Sequence, residues 1–378
     1  MISDFEDQIV LKKVAIIQDY IPEYRCAFFD ALYTLGVGDN ICYTVYSSDP
    51  LRHDDEESFR AKHLANRRIN LGRIIRWHTN LDELLTSDLV VLEQALHNPL
   101  LIWKFLITRP PNMTTYLWGH GGYWTRKNSW LQEKLLWYVV RKADHFFAYT
   151  EGGLENLSKH RYPVNKITVL RNSVDTKRIL SDIRDLSSSE HKDWLRKHNV
   201  QSSRLGCFIG QFRAEKDISF LISALEKIRI QIPDFEFIFF GGEKGKSQIH
   251  TALKEHSWIT YGGIADSKVK ANLSRSAMVI LNPGRVGLIA VDSMAMGVPI
   301  VTRKLKATHA PEIEYLKHPA SILISENDLD SYVIQVVSLL NNPEIKNKMS
   351  VKLSELALTL STENMAKKFH SAIMAENE

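Results

Sequence analysis

Cysteine is scarce in this 378-residue chain, with only Cys26, Cys42 and Cys207 present. They lie far apart, so no zinc or redox spacing exists, and they suit reduced core thiols in a cytosolic protein. Long apolar runs are missing too. No stretch approaches the ~20 apolar residues of a membrane span. The opening MISDFEDQIV is acidic and has no apolar core, so export is not expected. Neither sign of charge dominates: 48 Lys and Arg against 44 Asp and Glu leave a net +4, too little to imply nucleic acid as a partner. No Gly-x-Gly-x-x-Gly follows the first strand candidate, which counts against a dinucleotide oxidoreductase. Short repeats and low-complexity tracts are absent.

What is present is a chain too long for one ordinary core, so two domains are expected. Strand-like runs occur at 13–18, 40–47, 88–93, 114–118, 145–149 and 166–170. Helix-like stretches at 24–35, 100–107, 130–142 and 152–160 separate them. This alternation predicts an α/β fold with a parallel sheet covered on both faces. Arg171-Asn172-Ser173-Val174-Asp175 breaks the series, and 178–200 is charge-rich with no strand candidate. The alternation then restarts, with strands at 205–209, 236–240, 258–261, 277–281, 298–302 and 321–325. Helices at 218–230, 247–256 and 266–274 intervene, and the chain is mainly helical beyond 328. The expected organisation is two doubly wound domains, 1–178 and 179–361, with a hinge near 172–200. The helical segment 362–378 is a candidate to return to the first domain.

In such folds ligands sit at the carboxyl ends of the strands. The richest junction is LNPGRVGLIAVDSMAMGVPIV, residues 281–301. Asn282, Pro283 and Gly284 end a strand, helix character starts near Gly287, and Gly297 with Pro299 stops it. The helix is apolar on nearly every side and so should be buried. Its one charge, Asp292, needs a partner. That partner is either a neighbouring structural group or the hydroxyls of a sugar. Loop residues Gly284, Arg285, Val286, Gly287 and Leu288 would offer backbone N–H groups and a helix dipole to a phosphate. A second junction, Gly210-Gln211-Phe212-Arg213-Ala214-Glu215-Lys216-Asp217, brings Arg213 and Lys216 within reach of one diphosphate. Two solvated surface charges are the plainer alternative. Gly241-Gly242-Glu243 forms a third junction. In the first half, His120 sits among glycines in Leu117-Trp118-Gly119-His120-Gly121-Gly122-Tyr123-Trp124, open either to a ligand or to a structural role. Tyr149-Thr150-Glu151-Gly152-Gly153 ends another strand and suits a helix cap.

These blocks resemble glycosyltransferase family 4, whose members have the GT-B fold and use nucleotide sugars. Arg171-Asn172-Ser173-Val174-Asp175 resembles the family's Asn-Gly-Val-Asp element, and 208–216 its Gly-Arg-Leu…Lys-Gly loop. Residues 287–299 resemble its Gly-Leu…Glu-Ala-Met-Ala…Gly-x-Pro element. IPEYRCAFFDAL, YLWGHGG and FAYTEGG are similar to a branch of these enzymes. The resemblance implies two Rossmann-like domains facing a central cleft, and retaining transfer with no bound metal or other cofactor. In it, Lys216 and Arg213 serve the diphosphate, and Asp292 binds ribose in place of the more common Glu. Gly210, Gln211 and Gly242 line the donor, and His120 faces the donor sugar. Two positions depart from the family: Gly284 stands where the first paired Glu belongs, and Gln211 where an Arg is usual. Gly284 also keeps open a non-catalytic nucleotide-sugar-binding subunit. A GT-B epimerase and a sugar phosphorylase are further alternatives.

The implied partners are a nucleotide-sugar donor and a glycan or lipid-linked acceptor of surface polysaccharide or lipopolysaccharide assembly. Two basic stretches bear on a cytoplasmic, peripheral membrane location. Residues 60–76 carry six Lys and Arg and no acid, after the acidic run Asp54 to Glu57. Residues 130–142 interleave Trp130, Leu131, Leu135, Trp137 and Tyr138 with Lys134, Arg141 and Lys142. That mixture suits an anionic membrane surface, or a core helix with a solvated charged side. Asp328-Leu329-Asp330 could mimic a metal motif, but it falls at a predicted helix start and is taken as structural.

Overall fold

The structure, a computed structural model, describes residues 11–51, 59–70, 74–122, 129–305 and 309–377. Two compact units divide the chain. One runs up to Asn172 and resumes at Thr362; the other is Ser173–Ser361.

The first unit begins with β1 (Lys12–Gln18), β2 (Ile41–Ser47) and β3 (Ala61–His63). A separate antiparallel ribbon follows, β4 (Asn66–Asn70) with β5 (Ile74–His78). The main sheet then continues with β6 (Leu89–Glu93), β7 (Thr114–Gly119), β8 (His145–Ala148) and β9 (Ile167–Val169). Its order is β3-β2-β1-β6-β7-β8-β9, and every pairing is parallel. Such strands are covered on both faces, which is why β1 and β6 read as continuous apolar runs. The helix Thr362–Met374 belongs to this unit. Phe369 stacks on Phe147 with ring centroids 4.1 Å apart. His370 bridges Tyr43 Oη and Asp39 Oδ2, each at 2.8 Å.

The second unit contains β10 (Leu205–Ile209), β11 (Glu236–Phe240), β12 (Ile259–Gly263), β13 (Ala277–Leu281), β14 (Ile300–Arg303) and β15 (Ile322–Ser325). Their order is β12-β11-β10-β13-β14-β15, again parallel throughout. Chain order reverses between β1 and β6 in one sheet and between β10 and β13 in the other. These are the switch points where a crevice opens at the carboxyl ends of the strands.

Two stretches differ from expectation. The 178–200 region, expected as part of a hinge, folds into helices Thr176–Asp185 and Ser188–Lys197. Their caps are Asp175 and Ser187, and Trp194 is buried in the second unit's core. The basic 60–76 region contains β3 and most of the ribbon, which were not foreseen. Its apolar residues are too few and too interrupted to show the alternation of a half-buried strand. Residues 1–10, Asp54 to Glu57, Arg73, Tyr123 and Trp124, which carry some of the sequence expectations, lie outside the described residues. Among those described, no helix is long and apolar enough to cross a membrane.

Candidate functional site

The carboxyl edge of the second sheet brings two loops into contact. After β10 the chain turns through Gly210, whose φ of 154° favours glycine, and enters a short 3-10 turn, Ala214–Lys216. Asp217 then adopts φ 50° and caps the helix Ile218–Gln231 through the Phe220 N–H. After β13 the chain passes through Asn282 to Leu288 before the helix Ile289–Met296. Gly284 is buried against the first loop. A Cβ there would overlap the Glu215 carbonyl oxygen and Lys216 Cα, and would lie 2.5 Å from the Lys216 carbonyl carbon. The Arg285 N–H donates to the Glu215 carbonyl at 2.8 Å, and Lys216 Nζ donates to the Arg285 carbonyl at 2.5 Å.

The departure at Gly284 therefore has a steric cause. No side chain fits between these loops, so an acidic residue there would have to push Lys216 away.

Electrostatically the junction is cationic. Burial lowers the Lys216 ammonium to about 8, with Arg285 and Arg213 adding repulsion and Glu215 opposing it. Burial also lowers Arg285, against the pull of Glu312 and Glu215. Such a lysine gains more from an incoming anion than a solvated one would, because the anion replaces hydration already lost. Arg213 is mostly exposed, 3.9 Å from Glu215, so it joins the junction less closely than Lys216 does. Gln211 is exposed, and Gly242 faces open space where a Cβ would meet nothing within 4 Å.

Val286 is buried, whereas Gly287 and Leu288 are half-buried. The Val286 N–H, one of the groups expected to face a phosphate, donates instead to His309 Nδ1 at 3.1 Å. His309 Nε2 donates to the Arg303 carbonyl at 3.1 Å. Asp292 is 8% exposed and accepts from Lys270 Nζ at 2.8 Å through Oδ1. Its structural partner is thus a lysine on the helix Ser267–Ser276.

Several groups here were not singled out in the sequence. Arg303 ion-pairs with Asp217, donates from Nε to the Pro283 carbonyl at 2.9 Å and lies over the Phe220 ring at 3.9 Å. It thereby ties the two loops together. Asn282 is fully buried, and neither polar atom of its side chain has a hydrogen-bond partner among the described residues. That is an expensive arrangement for a loop residue beside a candidate ligand site. The strand-end rule applied to β14 would have flagged Arg303.

In the first unit, His120 packs edge-on against Tyr149 with centroids 4.6 Å apart. Gly121, at φ 71°, leaves its Cβ position 2.5 Å from the Gly153 carbonyl oxygen. The two glycine motifs therefore interlock. The Gly121 N–H donates to Gln94 Oε1 at 2.9 Å, and Asn156 Nδ2 donates to the Gly121 carbonyl at 2.7 Å.

A polar cluster sits beside the first switch point. Asp19 follows β1, and its Oδ2 lies 2.5 Å from His97 Nε2. Asn98 Nδ2 donates to Asp19 Oδ1 at 3.1 Å, and the Asp19 N–H donates to Glu93 Oε2 at 3.0 Å. Burial, then the Asp19 charge, raises Glu93 to about 7. The hydrogen bond that His97 Nε2 gives to the Asp19 carboxylate, against burial, raises His97. Burial opposes the Asp19 carboxylate, but His97 outweighs it and Asp19 is lowered. The acid ending β6 and the acid following β1 straddle the switch point, a signal present in the sequence and not used.

Residues 203–342 match the family model of glycosyl transferases group 1. The matched segment lies wholly within the second unit. The two-sheet architecture around this segment is the GT-B fold. Among solved structures, a glycosyltransferase from Rickettsia africae is 13% identical, covers 97% of this chain and 98% of its own, and has a TM-score of 0.72. The Anabaena protein HepE, in complex with UDP and glucose, is 12% identical, with 96% and 99% covered and a TM-score of 0.71. WaaG, a glycosyltransferase involved in lipopolysaccharide biosynthesis, is 13% identical, with 96% and 99% covered and a TM-score of 0.64. At these identities the likeness concerns the fold. No curated protein matches the chain. The loops that meet at Gly284 and Lys216 both lie inside the matched segment.

Proposed function

We propose that this chain is a nucleotide-sugar-dependent hexosyltransferase that transfers a sugar with retention to a glycan or lipid-linked acceptor. The observation that carries this is the half-buried Lys216, its ammonium fixed on the Arg285 carbonyl by the interlocked loops of the segment that matches the group 1 model. A departing diphosphate builds negative charge, and a preorganised cation in a partly desolvated site stabilises it. Arg213 and Arg285 add charge to the same region. Asp292 holds the ribose hydroxyls through whichever lone pairs Lys270 leaves, and Gly210, Gln211 and Gly242 line the donor. His120 serves the donor sugar.

Transfer in this scheme needs no metal, so activity should persist in EDTA. The acceptor belongs to surface polysaccharide or lipopolysaccharide assembly and is met on the cytoplasmic face of the membrane. HepE with bound UDP and glucose, and WaaG in lipopolysaccharide biosynthesis, support this choice of donor and pathway.

A thermal-shift panel of nucleotides and nucleotide sugars tests the donor, since a specific ligand raises apparent stability by mass action. The anomeric configuration of the product, read by NMR, tests retention. A panel in which no nucleotide shifts the melting temperature would overturn the proposal.

Gly284 favours one second reading, a non-catalytic nucleotide-sugar-binding subunit. It predicts a nucleotide-dependent shift with no transfer or hydrolysis.

A further inference from the structure

The helix Trp130–Val140 is held firmly on one side and left bare on the other. Ser129 caps it in a reciprocal box with Gln132, while Leu136, Trp137, Val139 and Val140 are buried in the first unit's core. Its outward sector is a different surface. At 100° per residue, Trp130, Leu131, Lys134, Leu135 and Tyr138 fall on one face, with Arg141 and Lys142 just beyond the helix end. All seven are exposed, Trp130 at 65% and Leu131 at 68%. A core helix with a solvated polar side does not display two leucines, a tryptophan and a tyrosine to water.

Charge distinguishes this surface from the other basic stretch. In 60–76, Arg68 and Arg76 are both tied to Asp49, and Lys62 to Glu83. The one acid of the helix, Glu133, is exposed beside this sector, about 60° round from Trp130, and not among the cations. Lys134, Arg141 and Lys142 form no ion pair among the described residues. Lys134 Nζ sits 3.8 Å from the Trp130 ring centroid and Lys142 Nζ 5.3 Å from that of Tyr138, so the cations stay beside the aromatic rings.

A groove of about 450 Å3 runs along the edge of this face. Trp130, Lys134, Trp137 and Arg141 line it, with Glu133 as its one acid and His160 closing it. His160 stacks flat on Trp137, centroids 3.7 Å apart at 8°.

We propose that this face is a docking surface for an anionic phospholipid bilayer, with Leu131, Leu135 and Tyr138 entering the interface and the groove between Lys134 and Arg141 receiving a lipid phosphate headgroup. The chemistry matches on three counts. Exposed aliphatic and aromatic side chains gain from leaving water at the acyl boundary, aromatic rings with polar edges suit headgroup depth, and unpaired cations meet anionic headgroups. The proposal rests on the proposed function in one respect: it supplies the surface that brings the enzyme to a membrane-borne acceptor.

The test is flotation of the full chain with vesicles of phosphatidylcholine alone and of phosphatidylcholine mixed with phosphatidylglycerol. Retention is expected on the mixed vesicles and not on phosphatidylcholine alone. Each cation removed should lower retention about fivefold, so Lys134→Gln, Arg141→Gln and Lys142→Gln together should abolish it. Leu131→Ser with Leu135→Ser should weaken it while leaving the charge intact. Equal binding to both vesicles, no binding to either, or binding unchanged in the variants overturns the proposal. So does concentration-dependent dimerisation that the serine variants abolish without vesicle retention, which would make the face a contact between copies. Circular dichroism of each variant controls for folding. The nucleotide-dependent thermal shift of the same samples reports separately on the donor site, so loss of docking and failure of the transferase reading can be told apart.

Discussion

Gly284 and Lys216 occupy the same small volume: the Cα of Lys216 lies where a side chain at residue 284 would begin. The two loops of the candidate donor site can close on each other only because one residue has no Cβ. The junction also explains how Lys216 comes to be half-buried, and through that desolvation how its pKa is lowered.

Substituting Gly284→Ala should force the loops apart. Overpacking of this kind typically costs about 1–3 kcal/mol, and chemical denaturation should show a loss in that range. Gly284→Glu, which restores the acid common in the family, should lose the nucleotide-dependent thermal shift rather than improve it. Normal stability and nucleotide affinity in the alanine variant would show that the loops do not interlock in solution.

Lys216 gives a pH dependence with a defined sign. Its folded pKa is about 8 against an ordinary 10.5, so between those values the unfolded chain binds more protons. This group therefore makes stability rise with pH across roughly 8 to 10.5. Nucleotide affinity should move the other way, falling above pH 8 as the ammonium is lost. Calorimetry in two buffers of different ionisation enthalpy should detect proton uptake on nucleotide binding there. Lys216→Met should abolish both the uptake and most of the affinity.

The part-buried Lys270–Asp292 pair separates a structural role from a ligand role. Removing either partner leaves the other poorly solvated, on the order of 3 kcal/mol in stability. Lys270→Met should show that loss while nucleotide affinity changes less than about twofold. Asp292→Asn should weaken nucleotide binding at least about tenfold, roughly the loss of one charged hydrogen bond. Equal effects of the two substitutions on affinity would assign Asp292 to the helix interface alone.

Glu93 makes the first unit sensitive to pH in the opposite sense. Its pKa is raised from 4.5 to about 7, so the folded state holds a proton that the unfolded state has released. Stability from this group is present below 4.5 and is lost as pH rises to 7. His97, raised by Asp19, acts in the same direction, its contribution fading as pH climbs through its folded pKa. Glu93→Gln should flatten the pH dependence between 5 and 7 in denaturant melts. An unchanged slope would show that Glu93 is ionised in the folded protein.

Legibility differed between elements for physical reasons. Continuous apolar strands such as β6 and β13 were visible because both faces of a parallel sheet are buried. Their strand-end loops then led to Lys216, Gly284 and Asp292. The β4–β5 ribbon was hidden because its exposed faces carry Asn, Arg and a few scattered apolar residues. His309 and Arg303 escaped notice because their partners, the Val286 N–H and Asp217, are distant in sequence. The Asp19–His97 pair spans 78 positions, so only the strand order places the two groups together.

By itself, the sequence determined two parallel α/β sheets and the polar loops at their strand ends, because backbone periodicity and turn chemistry are local properties. Only the tertiary structure decided which of the flagged groups meet. It made Gly284 a steric requirement, gave Asp292 a lysine partner and set Lys216 on the Arg285 carbonyl. It also left the Trp130–Val140 face bare while neutralising much of the charge in 60–76. Packing and pairing across long stretches of chain settle those outcomes, and no local pattern encodes them.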